Sequence, residues 1–249
     1  MSGRYRDLAV VLRTWPLGER DRLALLLTRE HGKVRATVRG ARAARSRLRG
    51  IVQPSAVLDV ECWRGRELDG VAQAQLVAAN LAGRGDLDPD TVGWCYELLD
   101  LADGLSEDGH GDDALFALLA RGLGLLVEAP SRELFAALTL RAVQLAGFGP
   151  SLDRCGSCGA EGELTRIDPA SQQARCDACG GVAIGVPAMR AARLVLEGRT
   201  RDGLRAVDAV AARRFEELAT RIAEAVLGRR LRGLAHVAPE PRPSRPVAP

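Results

Sequence analysis

Cys155-Gly156-Ser157-Cys158-Gly159 and Cys176-Asp177-Ala178-Cys179-Gly180-Gly181 decide how the second half of this chain is organised. Each stretch is a Cys-x2-Cys turn followed by glycine, and 17 residues separate the pairs. A tight turn of this kind delivers two thiolates to one side of a tetrahedral ion at about 2.3 Å, and two such turns close the coordination shell. Gly159 and Gly180 stand where the chain needs a positive φ, which glycine adopts without steric penalty. Between the pairs, residues 164–167 and 173–175 flank Asp168-Pro169-Ala170-Ser171, the pattern of a β-hairpin. Two knuckles and a hairpin describe a zinc ribbon with Cys155, Cys158, Cys176 and Cys179 as ligands of a structural zinc ion. A closed four-thiolate site has no open position for chemistry, which points away from a metalloenzyme. The blander alternatives are a redox pair, or thiols left from a lost site. Cys62 and Cys95 fall on apolar faces and read as small buried residues.

On either side of this module the periodicity is helical. Asp88-Pro89 pairs an N-cap with proline at the first helical position. Val92, Cys95, Leu98, Leu99 and Ala102 follow on one face. Asp112 opens a second helix through Leu115, Leu119 and Leu126, and Pro130-Ser131 a third that stops at Gly147. After the cysteines come a short helix over 187–196 and a longer one carrying Phe215, Leu218, Ile222 and Val226 before Gly228. The ribbon, residues 152–185, is therefore an insertion within one helical domain spanning 81–237. The last twelve residues hold five prolines and read as a disordered tail, 238–249.

Residues 1–80 are different. Apolar residues alternate in 8–13, 22–27 and 33–39, and two further strands occupy 56–63 and 68–76, with Arg64-Gly65-Arg66 as the turn between them. Five short strands predict a small barrel, an OB-fold in the first place, although an SH3-like barrel carries much the same pattern. The fold class expected is α+β: an N-terminal OB-fold barrel, then a helical domain with an embedded zinc ribbon.

Charge separates the two halves. The chain's net +3 is the sum of +7 over residues 1–80, from 15 Arg or Lys against 8 Asp or Glu, and −4 over the rest. The excess concentrates between positions 33 and 49. There Lys33, Arg35, Arg39, Arg42, Arg45, Arg47 and Arg49 occur with no acid among them. A charge run is ordinarily only a solvated face. Seventeen residues without a compensating acid tip the balance, because like charges repel unless an outside polyanion neutralises them. These seven residues are the expected phosphate-binding set for a polyanion, in a sequence-tolerant, salt-sensitive mode. Aromatic platforms are sparse: residues 1–80 offer Tyr5, Trp15 and Trp63.

Enzymatic chemistry finds no residue-level support. His31, His110 and His236 sit in no triad or metal pattern, no phosphate-binding Gly-x4-Gly-Lys motif occurs, and Asp112-Asp113 and Glu216-Glu217 read as a helix start and a solvated helical face. The first apolar stretch, Leu8 to Leu12, is too short for a secretory leader, and no run approaches the roughly 18–20 apolar residues that span a bilayer. The expected location is the cytoplasm.

The order of several short stretches resembles the RecO family of bacterial DNA-repair recombination mediators. They are Ala9-Val10-Val11-Leu12-Arg13-Thr14, Gly18-Glu19-Arg20-Asp21-Arg22-Leu23, Thr28-Arg29-Glu30-His31-Gly32-Lys33, Gly40-Ala41-Arg42, Ser46-Arg47-Leu48 with Gln53-Pro54, and the entry into the cysteine module from Gly147 to Cys155. The resemblance implies an OB-fold, a helical domain and an embedded zinc ribbon. It also implies single-strand binding, annealing of complementary strands, and help in loading RecA onto strands coated by single-strand-binding protein. Implied partners are single- and double-stranded DNA, RecR and the C-terminal tail of single-strand-binding protein, with no membrane. Only the basic positions and the four cysteines carry over residue by residue. Ala43 and Ala44 stand where the family often has basic or proline residues, and since some members lack the cysteines, zinc is implied to be structural. The competing reading is a duplex-binding regulator that uses its ribbon for groove contacts. Against it, Arg154, Arg166 and Arg175 face Asp153, Glu161, Glu163, Asp168 and Asp177.

Overall fold

A computed structural model describes residues 3–233. The proline-rich tail and His236 lie outside these residues. Five strands, β1 (Arg4–Leu17), β2 (Asp21–Thr28), β3 (Gly32–Val38), β4 (Val57–Trp63) and β5 (Asp69–Ala78), close into a barrel in the order β1-β2-β3-β5-β4. All pairings are antiparallel except a short parallel contact in which Ala36 and Thr37 of β3 meet Asp69 and Gly70 of β5. With the helix α1 (Arg47–Ile51) between β3 and β4, this connectivity is that of an OB-fold and rules out the SH3-like alternative.

Alternation along the strands sorts side chains into two cores rather than into core and solvent. Ala9, Val11, Ala24, Leu26, Ala36, Leu58, Val60 and Cys62 fill the barrel. Val10, Leu12, Leu25, Leu27 and Val57 point outward yet are buried in one cluster with the helices. Each such side chain contributes about 1.5–3 kcal/mol relative to exposure, so the barrel and helices pack as a unit. Close backbone approach reinforces the seam. Gly32 lies against the backbone of Glu107 and His110, where any Cβ would overlap, and the Lys33 amide donates to the Glu107 carbonyl at 3.0 Å.

The helices start where their caps predict. Asp88, Asp112 and Ser131 accept from the amides of Thr91, Leu115 and Leu134, opening α2 (Pro89–Leu105), α3 (Asp113–Glu128) and α4 (Arg132–Leu145). After the ribbon come α5 (Val186–Leu196), α6 (Thr200–Arg205) and α7 (Ala209–Leu227), the last ended by Gly228 in the left-handed conformation at φ 66°. Between α4 and α5 the strands β6 (Arg166–Asp168), β7 (Gln173–Arg175) and β8 (Val182–Ala183) form a three-stranded sheet. Its Leu164, Ile167 and Ala174 share the helical core.

Two buried carboxylates hold chain segments together. Asp100, fully buried on α2, accepts both Arg229 Nη groups and the Arg232 Nε and amide, which fixes the segment after α7. Asp7 accepts the Glu30 amide and faces His31 Nδ1 at 2.8 Å, tying β1 to the β2–β3 turn. Glu216 departs from the expected solvated face: it accepts Trp94 Nε1 and Arg132 Nη1, joining α7 to α2 and α4.

Glu97 on α2 is pushed up to about 7, first by burial and then by the neighbouring Glu216, Glu224 and Asp100 carboxylates. The folded chain therefore holds this proton more tightly than the unfolded chain. The stabilisation is complete below the ordinary carboxylate range and is lost as pH rises towards 7. Glu97→Gln, which mimics the protonated acid, is expected to raise the melting temperature over wild type at pH 8 but hardly at pH 4.5. A gap of equal size at both pH values in thermal denaturation would contradict this.

Candidate nucleic-acid interface and metal centre

The basic run leaves the barrel at the end of β3. The Gly40 amide donates to Asp21 Oδ1, while the Arg42 amide and guanidinium donate to the carbonyls of Arg20 and Gly18, so the turn is laced to the β1–β2 hairpin. Ala41 and Val52 are buried in the barrel core, and Leu48 and Ile51 of α1 pack against it. What remains outside is arginine. Arg35, Arg39, Arg42, Arg45, Arg47 and Arg49 are all exposed, and among the described residues none of the six forms an ion pair with a carboxylate.

Lys33 differs from the other six. Its ammonium donates to the backbone carbonyl of Asp103 at 2.7 Å and to the Asp103 carboxylate at 3.2 Å, with only 17% of the side chain exposed. It ties β3 to α2 and does not stand free on the ridge.

Three further cations join the ridge through tertiary structure. Arg22 donates to the Val52 carbonyl, and burial followed by the nearby Arg42 and Arg49 charges holds it below its ordinary pKa. Arg64 and Arg66, in the β4–β5 loop, share a cavity of about 270 Å³ with Arg35, Lys33 and Tyr5. Asp69 fixes that loop by accepting from the Tyr5 hydroxyl and the Gly65 amide. In sequence, Arg64-Gly65-Arg66 signals only a turn, because the parallel β3–β5 pairing that brings it beside Arg35 spans some thirty residues.

The acids of β4 do not oppose this surface. Arg6 binds Asp59 through two nitrogens and holds its carboxyl below the usual range, and Arg4 meets Glu61 at 3.1 Å.

The four ribbon cysteines come together as the spacing requires. Their sulfurs all lie within 4.8 Å of one another, with Cys158 and Cys176 at 3.8 Å. A tetrahedron with metal–sulfur bonds of about 2.3 Å has edges of about 3.8 Å, so the set matches a thiolate-bound ion. Backbone N–H groups of Cys158, Cys176 and Ser157 aim at the Cys155 sulfur and bring its thiol down to about 6, while hydrogen bonding to the Cys176, Cys158 and Cys155 sulfurs pushes Cys179 up to about 12. Four crowded sulfurs sharing protons are what a dication resolves by displacing them. By contrast, burial pushes Cys62 up to about 11 and Cys95 up to about 12, as befits apolar core residues. Within the ribbon, Arg166 pairs with Asp177 and Arg175 with Asp168, so these arginines are neutralised internally.

The architecture is thus an OB-fold barrel with an exposed arginine ridge, docked on helices that carry an inserted four-cysteine sheet. Comparison with known proteins makes this specific. The family model for the recombination protein O N terminal matches residues 1–80, and that for its C terminal matches residues 87–235. The DNA repair protein RecO of Nocardioides sp. is 35% identical over 94% of this chain and 98% of its own length. Its counterpart from Frankia casuarinae is 34% identical over the same shares, and that from Anaeromyxobacter dehalogenans is 38% identical over 92% and 93%. The chain belongs to the RecO family of DNA repair proteins. Among the described residues, no helix is long and apolar enough to cross a membrane.

Elemental analysis of the purified chain is expected to find about one metal ion per molecule. Cys158→Ser should abolish it and expose the ribbon to proteolysis between 152 and 185. A metal-free chain with a protease-resistant ribbon would refute the assignment.

Proposed function

We propose that this chain is a cytoplasmic recombination mediator that binds single-stranded DNA along the arginine ridge of its barrel. In this role it anneals complementary strands and helps load RecA onto strands coated by single-strand-binding protein. RecR and the tail of single-strand-binding protein are its partners in this reading, and the ion in the cysteine cluster is zinc with a structural role. The observation that carries the proposal is the ridge: six exposed arginines without carboxylate partners among the described residues, on an OB-fold, in a chain of the RecO family.

The physical mechanism needs no covalent step. Phosphates of the strand replace condensed counterions around Arg35, Arg39, Arg42, Arg45, Arg47 and Arg49, and the released ions supply much of the affinity. Neutralising one strand lowers its repulsion for a complementary strand, so pairing becomes easier while the bases remain accessible. Lys33 contributes indirectly, by holding β3 in place through Asp103. The duplex-regulator reading is less favoured, because the ribbon arginines Arg166 and Arg175 are engaged with the ribbon's own acids.

Reversing Arg39, Arg42 and Arg45 to glutamate should weaken binding to a single-stranded oligonucleotide at least tenfold. Because each phosphate contact contributes about 0.7 to the slope of log affinity against log salt, the slope should flatten by about 2. Reversal of the exposed Arg121 on α3 serves as the control. Unchanged affinity in the triple variant, measured by fluorescence anisotropy over a salt series, would defeat the proposal.

A further inference from the structure

All three aromatic residues of the barrel sequence are half-buried, and two of them are held by partners away from the 33–49 run. Tyr5 lies 4.3 Å from the His31 ring and has the Arg64 guanidinium 5.3 Å from its own centroid, and its hydroxyl is tied to Asp69. Trp15 packs on the helical core with its indole N–H buried, beneath Arg13. Among these three aromatic residues, Trp63 is the one whose ring lies under an arginine of the 33–49 run. It ends β4, is partly exposed, and lies flat against Gly70, where any Cβ would overlap the ring. The missing side chain at Gly70 thus makes the bed on which the indole rests. The Arg39 guanidinium stands over the ring, 5.7 Å from its centroid.

We propose that Trp63 is a base-stacking platform of the nucleic-acid surface, kept covered in the free protein by Arg39 and opened when Arg39 turns to a phosphate. The proposal rests on the DNA-binding reading above. Arg39 is exposed and forms no ion pair among the described residues, so the indole is its recorded partner. A cation–π contact at an exposed site is weak, whereas a phosphate contact releases counterions and a base–indole stack is stronger than the contact it replaces. Arriving DNA therefore makes the exchange favourable: the charge goes to the backbone and the ring to a base. The acids flanking Trp63 on its strand face, Asp59 and Glu61, are already neutralised by Arg6 and Arg4 and do not repel the approaching strand. Stacking is sequence-tolerant because every base has a π-face.

Tryptophan emission during titration with oligo(dT), read together with anisotropy at several salt concentrations, tests this. Wild type should show quenching on binding. Trp63→Phe, which keeps a flat ring, should bind within about threefold of wild type without that quenching. Trp63→Leu, which keeps apolar bulk over Gly70, should bind about 5- to 150-fold more weakly with an unchanged salt slope. Arg39→Ala should flatten the slope by about 0.7 and retain the quenching. Circular dichroism confirms that the variants are folded. Unaltered affinity in Trp63→Leu, or quenching that persists in Trp63→Phe, would overturn the platform while leaving DNA binding intact. Absence of any binding by wild type would remove the DNA-binding reading itself, and the platform with it.

Discussion

Burial of both faces of β1 and β2 is the constraint on which the molecule's layout depends. Ala9 and Val11 fill the barrel while Val10 and Leu12 of the same strand pack on the helices, and β2 repeats the division with Ala24 and Leu26 against Leu25 and Leu27. One wall of the barrel is thereby committed to the helical core. The surface made by the end of β3, α1 and the β4–β5 loop is left to solvent and carries the arginines, while the start of β3 joins the seam through Gly32 and Lys33. The asymmetry of charge follows from the asymmetry of packing.

Two kinds of charged group result, and they behave differently. Cations near buried or half-buried carboxylates are structural: Arg229 and Arg232 surround Asp100, and Lys33 holds Asp103 across the seam. Removing a partner from such a buried cluster leaves an uncompensated charge, so these pairs are hard to alter. Ridge arginines are exposed and form no ion pair among the described residues, so their mutual repulsion is only partly screened by salt. A fold that tolerates such repulsion on one face is suited to a polyanion that removes it. The ribbon is the counter-example, since Arg166 and Arg175 of its sheet meet the ribbon's own acids Asp177 and Asp168.

Much of this was legible in the chain itself. Strand positions followed from period-two alternation, helix starts from Asp88, Asp112 and Ser131, and the helix end at Gly228 from glycine's freedom to adopt positive φ. The four-cysteine cluster followed from two Cys-x2-Cys turns. The short elements α1 and α6 were not legible, because five or six residues span too few turns to show a period. Nor was β8, a strand of two residues.

The sequence by itself determined the kinds of element, their order, the four-cysteine cluster and the excess of positive charge, because each depends on residues close together along the chain. Only the tertiary structure decided which cations stand free. Lys33 is captured by Asp103, seventy residues away, whereas Arg22, Arg64 and Arg66 are brought to the ridge by strand pairing. It also decided that Trp63 lies on Gly70 beneath Arg39. The physical reason is the same in each case: the availability of a side chain is set by what other segments bring against it, and alternation along one strand carries no record of those segments.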